Sequence, residues 1–288
     1  MKPAKDLIRK VKGTFAQEGI PEIDAEIFVA HILGVERMDL HRKNFELDEQ
    51  QEEELAALVN ERLTGVATQY LVGSAPFRYL NFEVGPGVLI PRPETELLVD
   101  AAMVEIERIF SGFGHDPKSA ISVVDLGSGS GVIAISIAHE ARERNLPVHV
   151  IAVEKESSAI TWLERNIAKH DVDVRVVKSD VSDALQGVRA DIVVANPPYL
   201  PDGLEVTELV SRNEPAAALF GGPSGIDIPL QFVAAASRIL KSGGMLVLEH
   251  FEDHVLDLER NMQEHYFEFQ SYTDLNNRPR WITARRRG

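Results

Sequence analysis

From Ile121 onward, short apolar runs alternate with amphipathic helical patterns. Three of the runs are residues 121–125, 148–153 and 190–195. They are too short for typical helices and apolar on both faces, which predicts parallel strands buried within a sheet. The alternation therefore predicts an α/β fold with a doubly wound, mostly parallel sheet. Two terminal segments, near 267–272 and 281–284, are predicted to be strands that form an antiparallel C-terminal edge.

The first 72 residues carry a different pattern, because their apolar side chains recur only at helical spacing. Three such stripes begin near Leu7, Ala25 and Leu55. Gly34 follows the second stripe, where a helix C-terminus favours glycine. We therefore predict a small N-terminal domain over residues 1–72 that is a helical bundle.

Residues 73–93 are rich in aromatic, β-branched and turn-forming residues, which predicts a β-hairpin that links two domains. Pro91 and Pro93, with the acids that follow, are good signals for a helix start. The buried side of that helix is predicted to carry apolar residues at helical spacing: Leu97, Leu98, Ala101, Val104 and Ile109. Residues 94–288 then make up the second, larger predicted domain.

The chain of 288 residues carries a formal net charge of −15. Binding along a nucleic-acid backbone normally needs a basic face, so this charge disfavours a nucleic acid as direct substrate. Two groups of arginines near the C-terminus are the local exceptions, Arg278 with Arg280 and the run 285–287. An arginine run at a chain end is most often solvated, and we predict that here.

Several classes of protein are disfavoured by what the sequence lacks. There is no cysteine, which excludes disulfides, thiolate catalysis and cysteine-ligated metals. No apolar stretch approaches the roughly 18 to 20 residues of a membrane span, and the first residues do not resemble a signal peptide, which predicts a cytoplasmic protein. We also predict no metal site, because five histidines show no recognisable ligand spacing: His115, His139, His170, His250 and His254.

A glycine-rich turn follows the first predicted strand of the sheet. It reads Asp125-Leu126-Gly127-Ser128-Gly129-Ser130-Gly131. Its glycines let the backbone approach a ligand closely, and the next helix offers free N–H groups to an anion. Read from its second glycine, the turn fits the dinucleotide fingerprint G-x-G-x-x-A, which leaves NAD and FAD open. The acid before the glycines is instead usual in Rossmann-like enzymes that use S-adenosylmethionine (SAM).

Two further acids lie at the ends of the next two predicted strands. Glu154 is placed to accept hydrogen bonds from ribose hydroxyls, with either type of cofactor, and Asp180 to accept one from an adenine amino group. Taken singly, each is more often a solvated or helix-capping residue. Together with the glycine turn they predict a nucleotide-type ligand at the carboxyl edge of the sheet.

The residues Asn196-Pro197-Pro198-Tyr199 directly follow the strand predicted at 190–195. The prolines stiffen the loop and lack N–H groups, so the Asn196 side-chain oxygen and the Pro197 carbonyl form an acceptor pair for a planar NH2 group. Tyr199 offers an aromatic face to the carrier of that group. A proline-stiffened turn would show the same pattern. Its position beside the glycine turn favours SAM and a methyl transfer to nitrogen.

These motifs resemble the SAM-dependent protein-glutamine N5-methyltransferases that act on peptide chain release factors, the HemK/PrmC family. The resemblance covers nearly the whole chain, and its specific part is Ile90-Pro91-Arg92-Pro93-Glu94-Thr95-Glu96, because Asn-Pro-Pro-Tyr is shared with adenine-N6 and other amino methyltransferases. It also rests on the runs 69–73, 214–215 and 218–222. Two runs depart from the family pattern, 249–251 and 277–280.

The resemblance implies a Rossmann-like SAM-dependent methyltransferase whose substrate is the glutamine of a Gly-Gly-Gln loop in a release factor. The N-terminal domain is then expected to help dock that protein, and S-adenosylhomocysteine is the expected product. The cofactor-binding residues are expected to be Asp125, Gly127, Ser128, Gly129, Ser130, Gly131, Glu154, Asp180, Val181 and Asn196. The residues expected at the substrate are Asn196, Pro197, Pro198, Tyr199, Arg92, Glu94 and Thr95, of which Asn196, Pro197 and Tyr199 are expected to act in catalysis.

Three other functions remain open at the level of sequence. A sister enzyme would methylate a glutamine of a ribosomal protein. An adenine-N6 methyltransferase would use the same Asn-Pro-Pro-Tyr loop, although the acidic charge counts against it. A SAM-binding protein without enzymatic activity is the weakest alternative, because it gives no reason for a stiff acceptor pair beside the glycine turn.

Overall fold

The computed structural model describes residues 1–112, 116 and 119–288, so His115 lies outside the described residues. The described chain divides into two compact units. The first comprises Met1–Ser74 with Val206–Asn213, and the second Ala75–Glu205 with Glu214–Gly288. The first unit therefore includes a later segment that the sequence pattern did not assign to it. Within the described ranges, none of the helices has the length and apolar character needed to cross a membrane.

The secondary structure alternates along the chain much as the sequence pattern predicts. The helices are α1 (Ala4–Gln17), α2 (Ile23–Leu33), α3 (Asp39–Arg42), α4 (Glu49–Leu63), α5 (Thr68–Val72), α6 (Glu96–Phe110), α7 (Val132–Glu143), α8 (Ser157–His170), α9 (Glu208–Asn213), α10 (Asp227–Ile239) and α11 (Val255–Met262). The strands are β1 (Lys2–Pro3), β2 (Glu46–Leu47), β3 (Ser74–Phe77), β4 (Leu80–Glu83), β5 (Ile121–Leu126), β6 (Val148–Glu154), β7 (Val174–Lys178), β8 (Ala190–Ala195), β9 (Leu240–Glu249), β10 (Tyr266–Thr273) and β11 (Pro279–Arg286).

The first unit is the helical one, and its core lies between α1, α2 and α4. Phe15 and Phe28 are fully buried and meet edge to face, with their ring centroids 6.1 Å apart. The buried carboxylate of Asp24 accepts hydrogen bonds from Arg62 Nε at 2.9 Å and Thr68 Oγ1 at 2.7 Å. Arg62 and Thr68 are themselves buried. Their hydrogen bonds compensate the cost of burying the charge of Asp24.

The second unit contains a seven-stranded sheet in the order β10-β11-β9-β8-β5-β6-β7. The five strands from β9 to β7 are parallel, whereas β11 pairs antiparallel with both β9 and β10. This confirms the predicted sheet and its antiparallel edge. The chain winds from β5 to β7 on one side and from β8 to β9 on the other. The carboxyl ends of β5 and β8 therefore border the crevice where open α/β sheets bind ligands.

Three local predictions are wrong or too broad. The hairpin is confined to β3 and β4, with its turn at residues 78–79, and residues 88–90 are not a strand. Val104, predicted on the buried side of α6, is 66% exposed because the helical stripe is wider than the face that packs on the sheet. Arg285 belongs to β11 and pairs with the buried Glu105 at 2.8 Å, so the arginine run is not simply solvated.

Candidate active site

A cavity of about 390 Å³ lies at the carboxyl ends of the parallel strands. Its wall includes the glycine turn after β5, the ends of β6 and β7, and the loop after β8. The wall residues that the sequence analysis singled out are Gly127, Ser128, Gly129, Ser130, Glu154, Asp180, Val181, Asn196, Pro198, Arg92 and Thr95. The size falls within the range of small-molecule sites, roughly 300 to 1,000 Å³.

The glycine turn wraps one end of this cavity. Gly129 has a φ of 56°, in the left-handed region that favours glycine, and lines the wall. The first residues of α7, Val132 and Ile133, also line it, so the N-terminal end of this helix faces the cavity. The unpaired N–H groups of a helix start favour an anionic or strongly accepting ligand group there.

Asp125 and Gly131, both expected to bind the cofactor, do not line the cavity. The Asp125 carboxylate is completely buried, and its Oδ2 accepts the backbone N–H of Ala134 at 3.2 Å. Burial raises the pKa of this carboxyl to about 7. The acid before the glycines therefore holds the start of α7 to β5, and a contact between Asp125 and the cofactor remains a prediction.

The two acids at the next strand ends both face the cavity. Glu154 accepts three backbone N–H groups: Gly129 at 2.9 Å, Lys155 at 2.8 Å and Glu156 at 2.8 Å. Asp180 accepts the backbone N–H and hydroxyl of Ser182, each at 2.9 Å, and these bonds hold its pKa below the usual value. Both carboxylates are thus fixed in position before any ligand is bound.

The loop at residues 196–199, here called the acceptor loop, is bonded to two distant parts of the unit. Asn196 Nδ2 donates to Thr95 Oγ1 at 2.9 Å, and Thr95 Oγ1 donates to Glu249 Oε2 at 2.8 Å. Tyr199 donates its phenol hydrogen to the other Glu249 oxygen at 2.9 Å. None of the described residues donates to Asn196 Oδ1. That oxygen is therefore the acceptor that Asn196 can offer to a ligand.

The four residues of the acceptor loop do not all reach the cavity. Asn196 and Pro198 line it, whereas Pro197 and Tyr199 do not. Burial, followed by the charge of Glu249, raises the pKa of the Tyr199 phenol well above its usual value, so this group stays protonated as a donor. A Pro197 carbonyl directed at the substrate remains a prediction. Tyr199 contacts Glu249, and stacking on a substrate amide likewise remains a prediction.

Arg92 and Glu94 occupy different environments. Arg92 lines the cavity and donates through Nη2 to both oxygens of the buried Glu214, at 2.7 and 2.6 Å. Burial raises the pKa of Glu214, with Arg92 acting in the opposite direction. Glu94 does not line the cavity. The ion pair joins the segment before α6 to the segment after α9 at the cavity rim.

The segment at residues 219–225 packs against the acceptor loop. Leu200 donates its N–H to the Leu219 carbonyl, and Gly221 donates to the Leu200 carbonyl, both at 2.9 Å. A Cβ at Gly221 would lie only 2.6 Å from the Pro198 carbonyl oxygen and 2.3 Å from that of Gly225. Only glycine permits backbones this close, which explains the glycines of the run 218–222.

Sequence reasoning missed two features of the site. Glu249 was noted only as part of a departure from the family pattern, and its contacts with Thr95 and Tyr199 were not foreseen. Apolar and polar side chains of α10, Ile228, Gln231 and Phe232, also line the cavity. The alternation of strands and helices could have placed the start of α10 at this edge of the sheet, but not these particular side chains.

The described residues contain no cluster of three or more histidine or acidic side chains that could hold a metal ion. The two neighbouring histidines each use a ring nitrogen to bond a backbone carbonyl, His250 to Phe251 at 2.7 Å and His254 to Ser224 at 2.9 Å. Burial lowers the pKa of His250 to about 4, so it is neutral near pH 7.

Comparisons with known proteins match both parts of the chain. A family model described as PrmC N-terminal domain matches residues 6–73, and one described as Methyltransferase small domain matches residues 114–217. A release factor glutamine methyltransferase of Mycolicibacterium smegmatis is 38% identical over 97% of this chain and 96% of its own. One of Corynebacterium glutamicum is 33% identical over 98% of each chain.

The fold also has relatives among solved structures. The T. thermophilus 16S rRNA N2 G1207 methyltransferase, solved in complex with AdoMet and guanosine, matches with a TM-score of 0.51 and 23% identity. The match covers 74% of this chain and 50% of that one. At this identity the likeness supports the methyltransferase fold alone.

Proposed function

We propose a function on one premise: this chain belongs to the family of release factor glutamine methyltransferases. It transfers the methyl group of SAM to the side-chain amide nitrogen, N5, of the glutamine in the Gly-Gly-Gln loop of a peptide chain release factor. The observation that supports this most directly is Asn196 Oδ1, an acceptor at the cavity wall whose amide is fixed by Thr95 on its other side.

The cavity wall fits the cofactor. The glycine turn and the start of α7 suit the carboxylate of SAM. Glu154 offers a carboxylate, held in place by backbone N–H groups, to the ribose hydroxyls. Asp180 offers an acceptor to the adenine amino group, and Val181 offers an apolar surface beside it. We propose that these residues hold SAM, with Gly127, Ser128, Gly129 and Ser130. When bound there, SAM supplies the methyl group from its sulfonium, and S-adenosylhomocysteine is the product.

The chemistry requires the protein to activate a poor nucleophile. The lone pair of an amide nitrogen is delocalised into the carbonyl, and the nitrogen becomes positively charged as that resonance is lost. Asn196 Oδ1 accepts an N–H of the substrate amide, and this bond strengthens as the nitrogen gains charge. The acceptor therefore stabilises the transition state more than the ground state and orients the nitrogen. No general base is needed before the transfer, and the methylated nitrogen then releases one proton to water, which restores the neutral amide.

The test of this function is mass spectrometry of a release factor after incubation with the protein and SAM. We expect the peptide that contains Gly-Gly-Gln to gain one methyl group, with fragment ions placing it on the glutamine. A release factor in which that glutamine is replaced by alanine is the matched control. Transfer to the control protein, or none to the natural one, would overturn the proposal.

Cofactor binding is tested separately by calorimetry with SAM. We expect Glu154→Ala to weaken the affinity for SAM by about 10- to 100-fold, because it removes a charged acceptor that also holds Gly129. Glu164→Ala, at an exposed position of α8, is the control for loss of one negative charge and should bind normally. Tight binding of NAD in place of SAM would contradict the cofactor assignment.

Two alternatives keep the same site and change the substrate. A ribosomal-protein glutamine would bind Asn196 in the same way, and assays on release factors and on ribosomal particles in parallel separate the two. An adenine-N6 substrate is also a planar NH2 carrier, and label transfer from SAM to nucleic acid would favour it. The net charge of −15 supports a protein substrate.

We propose the remaining roles from the same premise. The helical unit, Met1–Ser74 with Val206–Asn213, docks the release factor, and residues 73–93 lead from it to the methyltransferase domain, which covers 94–288 except for Val206–Asn213. The protein would act on this substrate in the cytoplasm. Binding assays between a release factor and full-length variants altered on α1 or α4 would test the docking role.

A further inference from the structure

We infer that Glu249 is a positioning residue that acts through Thr95 to determine which edge of the Asn196 side-chain amide faces the cavity. The inference rests on the proposed function, since Asn196 Oδ1 is the acceptor there. Three side chains from separate segments carry it: Thr95 before α6, Asn196 after β8 and Glu249 at the end of β9.

The direction of the hydrogen bonds follows from the chemistry of each group. An ionised carboxylate can only accept, so Glu249 requires both Thr95 and Tyr199 to donate their hydroxyl hydrogens to it. Thr95 has then used its one hydrogen, and its oxygen can only accept from Asn196. The Asn196 group beside Thr95 must therefore be the NH2, which leaves Oδ1 for the substrate.

The reverse arrangement would place a donor where the reaction needs an acceptor. If Thr95 gave its hydrogen to Asn196 Oδ1, the amide would be turned by half a revolution, and its NH2 would face the NH2 of the substrate. An asparagine side chain has similar shape in both orientations, so only the hydrogen bonds distinguish them. Because Thr95 and Glu249 are both buried, water cannot easily replace either partner.

Glu249 is held in a largely apolar setting with few compensating charges. Besides Thr95 and Tyr199, the titratable groups that face it are Glu94, from the turn before α6, and Arg280, from β11. Burial raises the pKa of Glu249 to about 7, with a further increase from Glu94 and opposing effects of Thr95, Tyr199 and Arg280. The hydrogen-bonded chain from Glu249 through Thr95 to Asn196 is here called the relay. Protonation of Glu249 adds a donor to this relay and removes the requirement that Thr95 donate to Glu249.

A pH dependence of turnover follows from this arrangement. Above about pH 7 Glu249 is ionised and the amide is held in the productive orientation. Below that pH the carboxyl gains a proton, so we expect kcat to fall as the pH is lowered, approaching tenfold per pH unit. Burial also raises the pKa of Asp125 to about 7, and a variant at Glu249 separates the two carboxyls.

The test uses Glu249→Gln and Thr95→Val in the full-length protein, with steady-state methyl transfer to a release factor between pH 6 and 9. We expect each variant to lower kcat by about 10- to 100-fold at pH 8, since a misoriented amide loses one hydrogen bond and gains a repulsive contact. The Kd for SAM should stay within about threefold of the value for the parent protein. The fall in kcat below about pH 7, here called the acid limb, should vanish in Glu249→Gln. Thr95→Ser keeps the hydroxyl and should restore most of the activity.

The controls separate this role from a merely structural one. Glu264→Gln makes the same charge change at an exposed position of the same unit and should keep both kcat and the acid limb. Glu249→Gln removes a buried charge, so its Tm at pH 8 should lie within about 3 °C of the parent protein or above it. If that variant does not fold, Thr95→Val alone decides the question.

Each outcome bears on one conclusion. If the parent protein transfers no methyl group to release factor glutamine, the proposed function fails. If the parent protein is active but Glu249→Gln and Thr95→Val retain kcat, the positioning role is wrong. If kcat falls but the acid limb persists in Glu249→Gln, another group, with Asp125 the first candidate, controls the pH dependence and the relay direction is wrong.

Discussion

We expect the replacement of Asn196 by alanine to lower kcat for methyl transfer by about 100- to 1,000-fold, the usual effect of removing one preorganised polar group that stabilises a developing charge. The Kd for SAM should change by less than about threefold, because the glycine turn, Glu154 and Asp180 are untouched. Single-turnover kinetics with a release factor, combined with calorimetry for SAM, measure the two effects separately.

A matched control and a second variant sharpen this prediction. Asn276→Ala, at an exposed turn of the same unit, should leave both quantities unchanged. Asn196→Asp keeps an acceptor but places a second carboxylate beside Thr95, which has only one hydrogen to share with Glu249. We expect it to lose activity as well. Normal turnover of Asn196→Ala would remove this residue from the reaction.

The second large effect is expected from Gly221→Ala. The added Cβ would meet two backbone oxygens, that of Gly225 at 2.3 Å and that of Pro198 at 2.6 Å, and neither belongs to a flexible side chain. The acceptor loop or its supporting segment must therefore shift. We expect kcat to fall by at least about 100-fold and the free energy of unfolding by about 1–3 kcal/mol.

The measurements are methyl transfer and urea unfolding of the same preparations. Gly13→Ala is the matched control, because a Cβ there meets nothing within 4 Å on helix α1 and alanine favours the helix. Its activity should be unchanged and its stability equal or slightly higher. If Gly221→Ala were as active as Gly13→Ala, the acceptor loop would not depend on the close backbone approach seen here.

Much of the fold follows from local pattern. The bounds of β8 agree with the predicted run, and β5 and β6 each extend only one residue past theirs. Such strands are easily recognised because burial on both faces leaves a continuous apolar run. The predicted hairpin is too long for a similar reason. Val88 and Ile90 are buried within the second unit, and that burial does not require a strand.

A residue of the site could be predicted from the sequence where its position in one strand determines its place in the site. Glu154 and Asp180 stand at strand ends, so the parallel sheet brings them to one edge. Asp125 lies one residue before the end of β5, but its carboxylate accepts the N–H of Ala134 in the first turn of α7. The partnership of Thr95 with Glu249 spans 154 residues, and no periodicity in the sequence links segments so far apart.

The side chains of the relay, Thr95, Asn196 and Glu249, lie far apart along the chain. This separation affects when activity can arise during synthesis. The glycine turn and Glu154 precede Asn196, but Glu249 is added 53 residues after it. At about 5 to 20 residues per second, translation takes roughly 3 to 10 s to cover that interval. A nascent chain can thus complete much of the proposed cofactor site before Glu249 is present to orient the amide. If Glu249 has the proposed role, methyl transfer reports that the last parallel strand has joined the sheet.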